Sequence, residues 1–547
     1  MARSPTGAFS RCREPDRAQP FGPPRVRALD TGAPFGSLAA GVLGTVPVGG
    51  HSLRVATYLW HMYRNIPLAL SLAASVALGE LRQDPARAAL LGLRLLPGRM
   101  RRGVGPLEGR LALRARTAGP VATPSAAPVP PPGGRRFRPV PGRVLHLVTN
   151  GLPFRHAGYT VRTQKLAEAQ LAAGLDPHVV TRIGFPVSAG VLDARPTQLV
   201  GGVPQHRLLP PRLPYGQAAA LARNAELAAR LVERLRPAVL HAATDHGNGR
   251  VALALRETYG LPVVYEVRGF LEETWLTQAP DRGRDDETYR ARRALETFCM
   301  RQADLVLTLG EAMRAEIVGR GVPEERVLVV PNAVDDSFLA PLPDEAAVRA
   351  RLGIAPDEYV VGTVGSLTPH EGIGTLLHAG EELRRRGAPL RLLIVGDGPE
   401  RPALERLAAR LGLDDGTALF TGRVPHEQVR DFYAVLDVFA VPRTDERVCR
   451  LVTPLKPVEA MACGVPVAAS DLAALRELVE PEVNGRLIPS KSPKSWADEL
   501  EMLIYSQKRR NEWGAAARAM VARDRTWKRV AATTREAYRA LGCLEAG

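Results

Sequence analysis

Three glycine-bearing stretches, HAGYT (156–160), VGSLTPHEG (364–372) and VGDGPE (395–400), each follow an apolar run. Glycine after a strand lets backbone N–H groups approach the oxygens of a phosphate, and the N-terminus of a following helix adds a favourable dipole. The chemistry they suit is the holding of a phosphorylated ligand. None completes GxGxxG or GxxxxGK[ST], which speaks against a dinucleotide oxidoreductase and a P-loop hydrolase. The five cysteines, Cys12, Cys299, Cys449, Cys463 and Cys543, are odd in number and widely spaced, without a CxxC pair. That pattern points to a reducing compartment and away from a structural zinc site. The acidic pairs Asp335-Asp336 and Asp414-Asp415 lack DxD spacing at a strand end. No metal site is read from the chain.

These loops must be placed by the elements around them. RVLHLVTN (143–150), PHVVT (177–181), PAVLHAAT (237–244), PVVYEV (262–267), DLVLTL and VLVVPN are short apolar runs, with helical patterns at RTQKLAEAQLAAGL, near 248–259 and near 286–302. Strands alternating with helices at this spacing specify a parallel sheet covered on both faces. The alternation restarts after a loop near 336–345, with YVVGTVGS (359–366), LRLLIVGDG (390–398), ALFTGRV (418–424), VFAVP (438–442) and PVAAS (466–470) as buried strands. The fold class is α/β, with two facing doubly wound domains and an interdomain cleft. Ligands of such sheets bind outside the carboxyl ends of the strands, so facing units share one site. The tail from 495 to 541 is helical and carries Trp496, Trp513 and Trp527.

The chain has 547 residues and a formal net charge of +16, with 45% hydrophobic and 24% charged residues, an ordinary globular composition. Residues 1–142 hold 20 arginines, no lysine and 6 acidic residues, a net +14, and 117–142 is rich in Pro, Ala and Gly. This stretch reads as a largely disordered or partly helical extension ending in a linker. Its charge could dock on anionic lipid or nucleic acid, or simply be solvated. The body offers no zinc-finger spacing and no basic stripe interleaved with aromatics, so a nucleic-acid partner is not expected. The stretch 65–79 is too short for the ~20 apolar residues of a membrane span and could be an amphipathic surface helix. The first 20 residues carry six charges and no apolar core, so no signal peptide is read. The expected location is cytoplasmic, at the inner face of the membrane.

The segment VCRLVTPLKPVEAMACGVPVAASD (448–471) resembles the donor-binding signature of the family-4 retaining glycosyltransferases, built on the two-Rossmann fold called GT-B. VVPNAVD (329–335), VGDGPE, FTGRV (420–424) and the opening LPFRHAGYTVRT match the same family in order and spacing, so the resemblance covers about residues 143–541. It implies an acceptor-binding domain at 143–335, a nucleotide-sugar-binding domain at 336–505, and helices at 506–547 that return to the first domain. It also implies that Glu459 holds the ribose hydroxyls of a nucleotide sugar, since a carboxylate accepts two hydrogen bonds from a cis-diol. Gly365, Ser366, Gly396, Gly398, Gly422 and Arg423 would line the nucleotide, and Gly158 and Asn332 would lie near the donor phosphates. Gly398 and Gly422 could equally be turn glycines.

The chain departs from the commonest family pattern in three places. Ser366 and Glu371 stand where most members carry the Arg and Lys that grip the diphosphate, Arg268 of YEVRGF stands where many carry a His, and Leu451 replaces the first glutamate of the paired-acid motif. The leaving diphosphate then needs cations from elsewhere, and Lys456, Arg450 and Arg268 are the candidates for that catalytic role. A subgroup seen in bacterial polysaccharide loci looks similar in combining YEVRG, a TP-x-EG loop and RLVTPLKP. Two bland readings stand beside these: a solvated helix-start lysine for Lys456, and an ion pair with Glu266 or Glu272 for Arg268.

The resemblance implies transfer of a sugar from a nucleotide donor, UDP- or GDP-linked, to a glycan or lipid-linked acceptor with retention, needing no cofactor, metal or protein nucleophile. Positioning and stabilisation of diphosphate charge would carry the catalysis. His241, Asp245 and Glu272 are the acceptor-side candidates, alongside Glu266 and Glu273. His241 is equally a buried, satisfied histidine, and the acids are equally surface groups. An inactive GT-B scaffold is the alternative, motivated by Ser366, Glu371 and Leu451, and a nucleotide-sugar epimerase is a third reading. Segments 182–222 and 268–290 are expected to face the acceptor.

Overall fold

The computed structural model describes residues 137–545 apart from Tyr215 and Pro280. The basic extension expected over 1–142, with its helix at 65–79, therefore lies outside the described residues as far as position 136.

The first unit is built from β1 (Arg143–Val148), β2 (Asp176–Thr181), β3 (Thr197–Val200), β4 (Val203–Arg207), β5 (Val239–Ala243), β6 (Val263–Val267), β7 (Leu305–Thr308) and β8 (Val327–Val329). They form one sheet in the order β3-β4-β2-β1-β5-β6-β7-β8, parallel throughout except for the β3–β4 hairpin. Between them run α1 (Gly158–Ala172), α2 (Gln217–Leu235), α3 (His246–Tyr259), α4 (Leu271–Thr277), α5 (Glu287–Gln302) and α6 (Glu311–Gly319). The central strands are buried on both faces, which is why they read as continuous apolar runs rather than alternations. Their period of two is still visible in the packing. Leu145, Leu147, Leu240 and Tyr265 join one core with residues of α2, α3 and α5, while Val144, Val239 and Val264 join another with Leu166 of α1.

The second unit contains β9 (Tyr359–Ser366), β10 (Leu390–Asp397), β11 (Ala418–Gly422), β12 (Val438–Val441), β13 (Val467–Ser470) and β14 (Gly485–Ile488), all parallel, in the order β11-β10-β9-β12-β13-β14. Its helices are α7 (Glu345–Leu352), α8 (Ile373–Arg385), α9 (Arg401–Arg410), α10 (Val429–Ala434), α11 (Arg447–Leu451), α12 (Lys456–Ala462), α13 (Ala473–Arg476), α14 (Pro493–Ile504) and α15 (Gln507–Asp524). Two cores again lie on opposite faces of the sheet, one around Phe439, Met461 and Ala517, the other around Ile394, Leu377 and Trp496.

The chain passes between the units twice, and the two passages touch: the Val334 N–H donates to the Arg525 carbonyl at 3.0 Å, and Val334 bridges Thr526. Helix α16 (Trp527–Ala540) then packs on α1, with Trp527, Val530 and Tyr538 in the core under the first sheet. The return to the first unit thus falls at 525–527, not at 506, because Ala517 and Val521 of α15 are buried in the second unit's core. The body also begins before 143: the Val140 N–H donates to the Arg236 carbonyl at 2.7 Å, and Phe137 lies 5.0 Å from Tyr259 between ring centroids. Within 182–222, expected as a loop, the β3–β4 hairpin turns on Gly201 and Gly202, both at positive φ. The Gly-Gly pair is the turn signal the sequence carries for it, although VPQHR after it holds only one β-branched residue.

Candidate active site

The carboxyl ends of β9 and β10 approach each other so closely that two glycines are obligatory. A Cβ on Gly396 (φ 142°) would run into the Gly365 carbonyl oxygen, and one on Gly398 into that of Leu367. Packing of the two loops explains these residues before any ligand does. Gly422 adopts φ 74° at the end of β11, a turn conformation that favours glycine. Ser366 and Arg423 are exposed at this edge.

Helix α12 opens with Lys456 and Pro457, a first-turn proline whose missing N–H costs nothing there. The helix sets Glu459 into the protein, and its buried carboxylate holds three hydrogen bonds. Lys456 Nζ donates to Oε1 at 3.0 Å and to Oε2 at 2.8 Å, and the Tyr433 hydroxyl of α10 donates to Oε2 at 2.9 Å. Burial, and then the adjacent Glu459 charge, raise the Tyr433 pKa well above its ordinary value, so the phenol stays a donor. The Lys456 side chain keeps 32% of its surface exposed, so its ammonium is reachable from solvent.

Glu371, which stands where the resemblance implied a lysine, is itself held by a cation. Glu371 accepts from Arg443 Nη2 at 2.8 Å and Nε at 3.1 Å, while Arg443 Nη1 donates to the Val452 carbonyl at 3.0 Å. The pair ties the loop after β9 to the segment entering α12. Burial alone would raise the Glu371 pKa, but the Arg443 guanidinium outweighs it and holds the carboxyl below its usual range. Arg450, in contrast, points away from this set: it is 54% exposed and bonds Asp445 at 2.5 and 2.9 Å. Of the cations expected around Glu459, the structure brings Lys456 to it and pairs Arg450 with its own loop.

Under the first sheet's carboxyl edge lies a buried polar network. Arg162 of α1 donates Nε to Glu266 Oε1 at 2.8 Å and its terminal nitrogens to the carbonyls of Val330 (2.8 Å) and Pro331 (2.9 Å) and to Asn332 Oδ1 (3.3 Å). Arg268 chelates Glu266 Oε2 through Nε, at 2.8 Å, and Nη2, and gives Nη1 to Thr163 Oγ1 at 2.6 Å and the Tyr159 carbonyl at 2.8 Å. Burial pushes the Glu266 pKa up; Arg268 and Arg162 more than offset this and hold it well below the ordinary carboxylate. His241 Nε2 lies 3.3 Å from Glu266, its Nδ1 lies 2.6 Å from the Tyr538 hydroxyl, and Tyr538 accepts from Gln170 at 3.0 Å. This chain of donors closes with His241 neutral and protonated on Nε2, in keeping with a pKa lowered chiefly by burial.

Several expectations are corrected by these contacts. His241 and Glu266 are fully buried with their polar atoms paired inside the protein, which is the satisfied-histidine alternative for His241. Arg268 adopts the ion-pair alternative with Glu266, which leaves it a tie between β6 and α1 rather than a free cation. Glu272 is buried against Arg320 at 2.6 Å, its pKa raised by burial, and does not face an acceptor. Asp245 caps α3, accepting from the Gly247 N–H at 2.8 Å and from Arg182 at 2.6 Å. Asn332 is nearly buried and spans the units, donating Nδ2 to the Thr453 carbonyl at 3.1 Å. Gly158 opens α1, and a Cβ there would meet nothing within 4 Å.

Two further bridges cross between the units, and neither was visible in the sequence. Arg447 of α11 reaches Glu273 at 2.8 Å and Glu316 at 2.5 Å, and Glu477 accepts the Glu311 and Ala312 N–H groups at 2.8 and 2.7 Å. Glu477 thereby caps α6 of the opposite unit. Among the described residues no His, Cys, Asp and Glu group is arranged to hold a metal, and no helix is long and apolar enough to cross a membrane. Cys299, Cys449, Cys463 and Cys543 are free and buried.

Two parallel doubly wound units joined in this way are the GT-B glycosyltransferase architecture. Sucrose-phosphate synthase from Thermosynechococcus elongatus superposes with a TM-score of 0.60 at 22% identity, covering 73% of this chain and 99% of that one. Anabaena Alr3699/HepE, solved in complex with UDP, does so with a TM-score of 0.58 at 19% identity, covering 73% and 100%. The family described as Glycosyl transferases group 1 matches residues 344–520, and the Glycosyl transferase 4-like domain matches 157–333. The D-inositol 3-phosphate glycosyltransferase of Kribbella flavida is 30% identical over 53% of this chain and 69% of its own length. That of Segniliparus rotundus is 34% identical over 40% of this chain and 47% of its own. The chain spans about half the length of the first such relatives it matches. The chain belongs to the group 1 glycosyltransferase family.

Proposed function

We propose that the protein transfers a sugar from a UDP- or GDP-linked donor to a glycan or lipid-linked acceptor, with retention and without metal or other cofactor. The setting proposed is synthesis of cell-surface polysaccharide or glycolipid at the cytoplasmic face of the membrane. The observation that carries this reading is the Glu459 carboxylate held by Lys456 and Tyr433 at the head of α12. A buried carboxylate with an acceptor position still open on Oε1 suits a ribose diol, and the solvent-reachable ammonium beside it suits the diphosphate that follows. Family membership and fold neighbours solved with UDP and with UDP-glucose support a nucleotide-sugar donor.

In the reaction proposed, the bond from the anomeric carbon to the diphosphate oxygen breaks as the acceptor oxygen bonds to that carbon on the same face. The acceptor's proton passes to the leaving phosphate oxygen. Lys456 and backbone N–H groups at Gly158 and the β9 and β10 loops stabilise the charge that develops. The test is turnover of UDP- and GDP-sugars by the full chain. Activity with one donor class, lost in Glu459→Ala, supports the reading, and nucleotide binding without turnover over a wide acceptor panel supports a scaffold instead. The scaffold is favoured by one observation, the Glu371 carboxylate set on Arg443 where the sequence resemblance implied a phosphate-gripping lysine. The names of the curated relatives make a phosphorylated cyclitol the second acceptor class to try. Residues 1–142 carry a net +14, and we assign them contact with anionic lipid.

A further inference from the structure

We propose that Tyr433 is the positioning residue that gives the site its selectivity for a ribose diol, by fixing the rotamer of Glu459. The inference rests on the reading of Glu459 as the ribose-binding group. Tyr433 is fully buried, in ring contact with Phe338 (centroids 6.3 Å apart) and Phe439 (5.9 Å), so its hydroxyl is placed by packing rather than by solvent. That hydroxyl, 2.9 Å from Oε2, has the Lys456 carbonyl 3.5 Å away as its other neighbour. A flexible ammonium shares the same carboxylate, and in a charged site Lys456 is free to leave it for a diphosphate. When it does, Tyr433 is the contact that still holds the carboxylate plane. The phenol occupies Oε2 from the protein side, which leaves Oε1 and the outer lone pair of Oε2 for two hydroxyls of the ligand. A carboxylate free to rotate would meet a diol and a lone hydroxyl with less difference between them, because preorganisation is what converts a pair of hydrogen bonds into selectivity.

The test is binding of UDP and GDP, each beside its 2′,3′-dideoxy counterpart, to the full chain, using whichever nucleotide binds. Wild type is expected to prefer the ribonucleotide by about 10²-fold, two hydrogen bonds to a charged acceptor. Tyr433→Phe, which keeps the ring and its packing, is expected to lose about tenfold of that ratio while binding of the dideoxy nucleotide stays unchanged. In a Glu459→Ala background the same substitution is expected to leave the ratio alone. A Tyr433→Phe protein that melts cooperatively and keeps the full wild-type ratio overturns the inference and leaves the role of Glu459 intact. A wild-type protein that binds both nucleotides equally overturns the ribose assignment, and the inference with it.

Discussion

Among single residues, Lys456 carries the charge chemistry proposed for the site. Its ammonium touches Glu459 yet stays a third exposed, the setting of a group that can trade a carboxylate for a phosphate. Lys456→Ala is expected to lower turnover by about 10²-fold or more, the usual cost of removing one preorganised charge from a developing anion. Single-turnover rates with saturating donor would check this, and an unchanged rate would remove the residue from the mechanism. The pair was legible in the sequence because both residues lie three apart at the start of one helix, within a single motif. For Arg268 and His241 the sequence left two readings open, the ion pair with Glu266 and the buried histidine being one of each, and the remaining partners that decide between them are distant in the chain. Tyr538 stands 297 positions from His241, and Thr163 stands 105 from Arg268. Tyr433 was missed for the same reason: its hydrogen bond to Glu459 spans 26 residues and an intervening strand.

At the element scale, the strands and most helices could be read from apolar runs and their spacing, because parallel strands buried on both faces leave an unbroken apolar signature. The β3–β4 hairpin and β14 escaped, being short strands with exposed or polar positions such as Leu199 and Arg486. The course of the tail also needed the structure, because both α15 and α16 carry a tryptophan and only packing shows which unit each one enters. Helix α16 reaches the polar network through Tyr538, and α1 reaches it through Arg162, so β6 is held by elements from both ends of the body. Glu266→Ala should cost about 3–5 kcal/mol in urea unfolding, since it strands two buried arginines. The network also predicts acid sensitivity. His146 of β1 joins it through Nε2, 2.7 Å from Gln170 Oε1. Burial lowers the His146 pKa to about 3, so the folded chain refuses a proton that the unfolded chain takes up below about 6.5. Its contribution is complete above that value and is lost as the pH falls towards 3. Glu266, held below the carboxylate range, has the same sign: its contribution is present at neutral pH and declines on acidification. His146→Asn should therefore flatten the dependence of the urea midpoint on pH between 6.5 and 4, and a wild-type curve already flat there would contradict the buried neutral histidine.

At the scale of the whole molecule, the two units meet through polar bridges, Arg447 with Glu273 and Glu316, Glu477 on the head of α6 and Asn332 on Thr453, beside apolar packing of Leu451 and Val452 against the first unit's core. With the paired passages at Val334 and Arg525, these bridges lead to the expectation that the units open and close about that crossing, with the charged bridges favouring the closed arrangement. The Arg447→Ala, Glu477→Ala double variant is expected to raise the radius of gyration in small-angle scattering of the free protein, with donor nucleotide reversing the change. Identical scattering curves would show that these bridges do not set the opening. The two-domain plan was plain from the sequence, while the bridges were not, because each joins residues more than a hundred positions apart.

The claim beneath all of this is that the head of α12 binds a nucleotide through Glu459. The most direct measurement is the melting temperature of the full chain with UDP, GDP, ADP and CMP, in wild type and in Glu459→Ala. Ligand at about 100 times its Kd should stabilise the folded protein by about 2.7 kcal/mol. The account predicts a rise with UDP or GDP in wild type that disappears in Glu459→Ala. A rise that survives the substitution, or none with any nucleotide in a cooperatively melting sample, would contradict it.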